Sequence, residues 1–322
     1  ASLDARDRGS LAAARGALRV DYASVRRLKQ AVLVAAFDWF YASEWSADSP
    51  RALSLKEFLA AEAWWVEDYA LFRAVHDRES NRPWMEWPEP LRTRQAEALD
   101  RARRELEREI LFYQYLQWIA DAQWRKARAA ARANGVQLFG DLPFMVDGDS
   151  ADVWLHQDDF SLDVSVGVPP DAFSATGQDW GMPAYRWDVI ASRNFSWLRE
   201  RARRSADLYD GYRVDHLVGF YRTYGRPRRG GDAFFNPAEE SVQVALGEAV
   251  LGVMRQPGSD IIAEDLGVVP GFVRASLERL GVPGFRVLRW ERLWDIGGQP
   301  FRDPREYPVS SVATSGTHDT ET

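Results

Sequence analysis

"LYDGYRVDHLVGFYR", residues 208–222, has the form of a short buried strand that runs into a loop, yet it sets Arg213, Asp215 and His216 almost side by side. Charged groups are costly to take out of water unless they are paired or used in chemistry. With the two-residue period of a strand, Arg213 and Asp215 point to the same side, so the guanidinium is placed to compensate the carboxylate and keep it charged. The fold turns on whether other strands in the chain end in the same way.

From residue 136 onward they do. "VQLFGDLPFMV", "DGYRVDH", "SDIIAEDLGV", "FRVLRWE" and "SSVATSGTHD" are short apolar runs, each compatible with a buried strand. Candidate helices such as "SWLRERARRSADLY" and "PGFVRASLERLG" stand between them. This alternation predicts parallel strands joined by crossover helices. In every run but "FRVLRWE" the apolar part comes first and acids follow: Asp141, Asp215, Glu264 with Asp265, and Asp319. In a barrel of parallel strands that end carries the chemistry. Each acid alone also reads as the N-cap of the next helix. Together, with Arg213 and His318 beside two of them, they favour a site.

Residues 1–134 read as helix. "DYASVRRLKQAVLVAAFDWFYAS" places Val25, Leu28, Val32, Ala35, Ala36 and Trp39 at helical spacing. "SLKEFLAAEAWWVEDYALFRAVHD" repeats the pattern, with Ser54 and Glu57 as its capping box. After the Pro-punctuated loop "NRPWMEWPEP", residues 91–134 contain no Gly or Pro. The first part of that run reads as a solvated charged helix. The second carries an apolar stripe of Ile110, Tyr113, Leu116, Ala120 and Trp124, and Asn134–Gly135 reads as its stop. The expected division is therefore a mostly helical region, 1–134, and a barrel region, 135–322, with an active-site loop over 165–190.

Composition narrows the chemistry. The chain has 322 residues, 46% of them hydrophobic, enough to bury a sizeable core. A formal net charge of −7 argues against nucleic acid as the main partner. There is no cysteine, so thiolate nucleophiles, disulfides and thiolate zinc sites are excluded. The four histidines stand singly, outside any HExxH, and "GVPPDAFSATGQDWG" matches neither GxGxxG nor GxxxxGK. No apolar run reaches the length of a membrane span, and neither cofactor nor metal is expected. What remains is carboxylate chemistry beside many aromatics: 14 Trp, 11 Tyr and 16 Phe. Such rings fill cores, and their faces also stack on sugars. Glycoside cleavage uses one carboxylate as nucleophile or base and another as general acid. The two must differ in protonation. The apolar neighbours Ile261, Ile262 and Ala263 are suited to keep Glu264 protonated.

The segments "GDLPFMV" followed by "DSADVW", then "GVPPDAFSATGQDWGMPAYRWD", "GYRVDHLVGF", "IIAEDLGV" and "SGTHDTET" resemble, in order and spacing, the signature blocks of the 4-α-glucanotransferases, the amylomaltase or disproportionating-enzyme family. "VDYASV", "WWVEDYALFRAV", "RPWMEWPEPLR" and "YLQWIADAQW" extend the resemblance over the helical part. It implies an α/β fold, a (β/α)₈ TIM-type barrel of the α-amylase clan with helical insertions, of which this chain holds about strands 3 to 7. It implies a retaining double displacement on α-1,4-glucans and malto-oligosaccharides; the cytoplasm is the expected location because a chain without cysteine fits a reducing compartment. Matched motif by motif, Asp215 in "RVDH" implies the nucleophile, Glu264 in "AEDLG" the general acid/base, and Asp319 in "GTHD" the third carboxylate. Arg213 and His318 match residues around these acids. Asp171, Phe173, Gln178 and Trp180 lie in the family's glucan-covering loop, and Asp141 matches a strand-end acid. The chain departs from the family at Met182, where Asn is common, and at Thr320–Glu321, where Asn–Asp is common. The family's N-terminal block and last strand are also expected to be missing. The alternatives are a hydrolase of the same clan, a non-catalytic glucan-binding remnant, and a helical interaction module formed by residues 1–134.

Overall fold

The computed structural model describes residues 5–170, 174–256 and 258–317. Asp171, Phe173, His318 and Asp319 lie outside the described residues. The chain divides into two compact units, Ala1–Trp124 and Arg125–Thr322.

The first unit is helical, with long helices at Tyr22–Ser43 and Pro50–Arg78 and a shorter one at Ala96–Glu105. A further helix, Glu107–Ala133, begins in this unit and continues into the second. The helix from Pro50 starts one turn before the expected capping box. Ser49 is its cap, accepting the Ala52 N–H at 3.2 Å, because Pro50 suits the first helical position. Ser54 instead lies inside the helix and accepts the Trp118 indole N–H at 3.4 Å. The unbroken run 91–134 is interrupted at Leu106, a buried residue between two helices. No Gly or Pro marks that turn.

The buried faces also differ from the expected stripes. In Tyr22–Ser43 the core side is Leu28, Phe37 and Phe40, whereas Val32 and Trp39 are exposed. In Glu107–Ala133 the buried residues include Leu111, Phe112, Tyr113, Tyr115 and Trp118, so Tyr113 alone of the expected stripe is fully buried. Helical spacing admits two stripes one residue apart, and aromatic contact selects between them. Phe37 meets Phe112 at 5.3 Å, and Phe40 meets Tyr115 at 4.8 Å and Trp118 at 5.9 Å. The helix stops as expected: Gly135 has φ +71° and the Val136 N–H returns to the Ala131 carbonyl at 3.0 Å.

The second unit contains nine strands among the described residues: β1 (Phe139–Leu142), β2 (Phe160–Val168), β3 (Gln178–Tyr185), β4 (Gly211–Val214), β5 (Thr223–Pro227), β6 (Phe234–Asn236), β7 (Asp260–Ala263), β8 (Gly284–Val287) and β9 (Ser311–Thr314). Five of them form a parallel sheet in the order β1-β4-β7-β8-β9. These are the five apolar runs singled out in the sequence. The order never reverses, which is the single winding of a (β/α)₈ barrel; a doubly wound sheet turns back on itself. The helices Ser196–Leu208, Glu240–Arg255 and Gly271–Leu280 are the crossovers. Among the described residues no helix is long and apolar enough to cross a membrane.

The remaining strands form an antiparallel sheet in the order β3-β2-β5-β6. The stretch 165–190, read from the sequence as a loop, holds the end of β2, all of β3 and the helix start at Trp187. Its Gly and Pro residues hide the strands from a propensity reading. Gly167 passes so close to β3 that a Cβ would stand 1.9 Å from the Gln178 carbonyl oxygen. This sheet meets the segment after β1 through an aromatic cluster. Tyr185 packs on Phe144 at 5.5 Å and on Trp187 at 4.8 Å, and Phe144 packs on Phe220 at 4.8 Å.

Candidate active site

Parallel strands put their carboxyl ends on one edge, and here that edge carries the acids. β1 ends at Asp141–Leu142, β4 is followed by Asp215 and β7 by Glu264. The backbone holds these ends in step. The Asp215 N–H donates to the Leu142 carbonyl at 3.0 Å, and the Glu264 N–H donates to the Val214 carbonyl at 3.0 Å.

Arg213, on β4, joins the three acids. Its Nη1 lies 2.6 Å from one Asp141 carboxylate oxygen and 2.8 Å from the other. Its Nη2 lies 2.7 Å from Asp215 and 3.2 Å from Glu264. Two carboxyl groups therefore meet on a single nitrogen. Only a planar fork with several donors can serve three carboxylates in this way.

Glu264 sits deeper than its neighbours, its side chain 17% exposed against 36% for Asp215 and 51% for Asp141. Burial is the largest influence on its carboxyl and raises its pKa, and contact with Asp215 pushes the same way. The His216 backbone N–H, donating at 2.5 Å, and the Arg213 guanidinium oppose this without overturning it. Burial beside the apolar end of β7 thus acts in the direction expected from Ile261, Ile262 and Ala263.

His216 adopts φ +40°, in the left-handed region that a non-glycine residue occupies only at a cost of about 1–3 kcal/mol. That turn delivers its N–H to Glu264. Burial pushes its imidazole down to about 4, although the Asp215 charge acts against this. The ring is therefore neutral at pH 7. It stands edge to face with Trp180 at 4.8 Å and beside Phe144 at 5.5 Å.

A cavity of about 350 Å³ opens over these groups, lined by Pro143, Phe144, Met145, Trp180, Met182, Arg213, Asp215, His216 and Glu264. One wall is apolar and aromatic; the other holds the acids and the guanidinium. Gln178 and Asp141 do not line it. Gln178 accepts the Trp180 indole N–H at 3.0 Å, and Asp141 anchors Arg213. A second concavity, over Trp294–Gln299, is lined by a single loop far along the chain from the paired acids. His216, Pro143, Phe144 and Met145 line the cavity without having been candidates from the sequence. The signal for His216 was its adjacency to Asp215; Phe144 and Met145 lie in the block "GDLPFMV" but read there as strand core.

The arrangement offers a compensated carboxylate, a second carboxyl held toward its protonated form, and an aromatic wall. A sequence model of the 4-alpha-glucanotransferase family matches residues 2–322. The 4-alpha-glucanotransferase of Thermus thermophilus is 38% identical over 316 residues, covering 94% of this chain and 61% of the relative. That of Synechocystis sp. is 36% identical over 317 residues, with 94% and 61% covered. Among solved structures, amylomaltase from Streptococcus agalactiae in complex with acarbose superposes with a TM-score of 0.81 at 30% identity, over 94% of this chain and 60% of that one. Amylomaltase from Corynebacterium glutamicum gives 0.69 at 25% identity, over 91% and 39%. The chain thus spans about three-fifths of the length of the first two relatives.

Proposed function

The chain belongs to the 4-alpha-glucanotransferase family, and from that premise we propose that the protein moves α-1,4-glucan segments to the 4-hydroxyl of an acceptor glucan or glucose by a retaining double displacement. The observation that carries the reading is the meeting of Asp215 and Glu264 on one nitrogen of Arg213. Retaining enzymes hold their two carboxyls about 5–5.5 Å apart across the scissile bond, and a pair in contact through a shared guanidinium is near enough to flank one anomeric carbon.

In the first step an Asp215 oxygen bonds to the anomeric carbon as the bond to the leaving oxygen breaks. Glu264 gives its proton to that oxygen. The products are a glycosyl ester on Asp215, a carboxylate on Glu264 and a free reducing-end fragment. In the second step the acceptor 4-hydroxyl loses its proton to Glu264 while its oxygen displaces Asp215. Both side chains return to their starting states, and two inversions retain the configuration. Arg213 compensates Asp215 for attack, and the raised pKa of Glu264 suits a group that must first be an acid.

Trp180, Met182 and Phe144 form the wall suited to the apolar face of a sugar. Asp171, Phe173 and Gln178 are assigned to the covering of the glucan, and Asp319 with His318 to the third carboxylate and its neighbour, on their motifs alone. Malto-oligosaccharides are the proposed substrates, and a cytoplasmic location belongs to the same reading.

Incubation with maltotriose tests it. Transfer yields glucose together with chains longer than maltotriose. A clan hydrolase yields only shorter products, and a binding remnant leaves maltotriose unchanged; either result overturns the proposal.

A further inference from the structure

Glu264 is held very differently on its two sides. Toward β4 the ladder runs through four register pairs, Gly211↔Asp260 to Val214↔Ala263. The Glu264 N–H then donates to Val214, and the Leu217 N–H donates to the Glu264 carbonyl at 3.2 Å. Toward β8 the register contains a single pair, Ala263↔Gly284, with the Ala263 N–H donating to the Pro283 carbonyl at 2.8 Å. The strands on either side of this seam are fully paired, since β8 and β9 share four register pairs. The catalytic strand therefore has one weak seam, and it lies directly beside Glu264.

Asp265 fills that seam. Its residue is 3% exposed, yet it carries a carboxylate. One oxygen accepts the Phe285 backbone N–H at 2.8 Å, a donor on β8 just past its only register pair with β7. Arg286 Nη1 donates to both oxygens, at 3.2 and 2.9 Å. Arg274 approaches at 3.9 Å from the helix Gly271–Leu280. Gly284 makes room for this arrangement, because a Cβ there would stand 2.5 Å from the Asp265 carboxylate.

We propose that Asp265 is a positioning residue, whose carboxylate extends the short backbone pairing between β7 and β8 and so fixes the adjoining Glu264 for proton transfer. The assignment rests on the double-displacement reading above. Glu264 and Asp265 are consecutive, so one planar peptide unit links the Cα atoms that carry the two side chains. Any slip of Asp265 toward β4 is transmitted to the Glu264 carboxyl. Displacement of a reacting group by as little as about 1 Å is enough to lose roughly 10²-fold in rate. Gly284 belongs to the same device: it must remain without a side chain for the carboxylate to reach Phe285.

Asp265→Asn tests this, because its NH2 cannot accept from Arg286, so the two-oxygen grip that holds the acceptor on the Phe285 N–H is lost. The expected result is a fall in kcat on maltotriose of about tenfold or more with KM within about twofold. Release of fluoride from an α-maltosyl fluoride in a first turnover needs little protonation and should fall much less. The limb of the pH profile that reports Glu264 should also shift. Equal loss on both substrates, or unchanged kcat with only a lower melting temperature, overturns the proposal. Gly284→Ala presses on the same carboxylate from the other side and should show the same substrate-selective loss. It serves as the measurement if Asp265→Asn does not fold, and loss of selectivity there overturns the assignment equally. Asp215→Asn run in parallel separates the two readings. If it retains turnover the double displacement fails; if it is dead while Asp265→Asn behaves as wild type, only the positioning role fails.

Discussion

In the helical unit Arg103 and Asp100 pair at 2.9 Å with their side chains 47% and 58% exposed. At the strand ends Arg213 and Glu264 pair at 3.2 Å with side chains 19% and 17% exposed. The first contact is shorter, yet it does less. Water screens it, and such exposed pairs are worth about 0.2–1 kcal/mol. The second is one limb of a hub with three carboxylates, where each charge sets the protonation of its neighbours. Burial and connectivity, rather than distance, separate a charge that solvates a surface from one that shapes a site.

The comparison is broken or sharpened most forcefully at Asp215. Asp215→Asn should lower turnover by roughly three orders of magnitude or more, since the proposed nucleophile would have no substitute. Its far-ultraviolet circular dichroism and oligosaccharide binding should remain those of the parent. Steady-state rates on maltotriose, measured beside equilibrium binding, provide the check.

Arg213→Lys comes next. A single ammonium cannot reach three carboxylates at once, so kcat should fall by roughly 10²-fold. The guanidinium lowers the Glu264 pKa, and its loss should move the Glu264 limb of the pH–rate profile to higher pH. A downward shift would contradict the electrostatic account.

Glu264 itself yields a stability prediction. Its carboxyl titrates above its ordinary value of 4.5 in the folded protein. The folded state therefore binds more protons than the unfolded state once the pH passes that value. The stabilising effect is complete below it and is lost as pH rises through the folded-state pKa. Glu264→Gln removes the penalty of the ionised form. The variant should melt higher than the parent on the alkaline side and show no such gain below the ordinary carboxyl pKa. Melting curves at two pH values decide it.

Asp210 shows the opposite sign away from the site. The Leu138 backbone N–H, followed by Arg132 and Arg128, holds its carboxyl well below the usual range. Its contribution is therefore present above the ordinary carboxylate pKa and is lost as pH falls. Asp210→Asn should lower the melting temperature at neutral pH and converge on the parent in acid, with kcat unchanged. At the low end of the scale, Arg103→Ala in the helical unit should leave activity unchanged and alter stability by no more than about 0.5 kcal/mol.

These differences track what the sequence alone made visible. The five parallel strands were legible because each is a short apolar run between helix-like stretches, and β4 and β7 lead straight into Asp215 and Glu264. The antiparallel sheet was not, since β2 and β3 are joined and crossed by Gly and Pro residues that read as loop. In the helices the period was clear but the buried face was shifted, because Phe37, Phe40 and Tyr115 select their neighbours by ring packing that no one-dimensional spacing records. At the site, Arg213 beside Asp215 was readable from a two-residue period. The reach of the same guanidinium to Asp141 and Glu264 depends on strands far apart in the chain. The aromatic wall was half readable: Trp180 stood in the loop motif, whereas Phe144 and Met145, though inside "GDLPFMV", resemble core until β1 places them at the cavity.

The central claim is that Asp215 and Glu264 act in turn on one anomeric carbon. Its most direct test is peptide mapping by mass spectrometry of Glu264→Gln after exposure to an α-maltosyl fluoride. The account predicts a maltosyl ester on the peptide that contains Asp215, formed because fluoride needs little protonation and retained because no base remains to activate the acceptor. A stable adduct on a different carboxylate, or complete release of inverted sugar with no adduct, would contradict it.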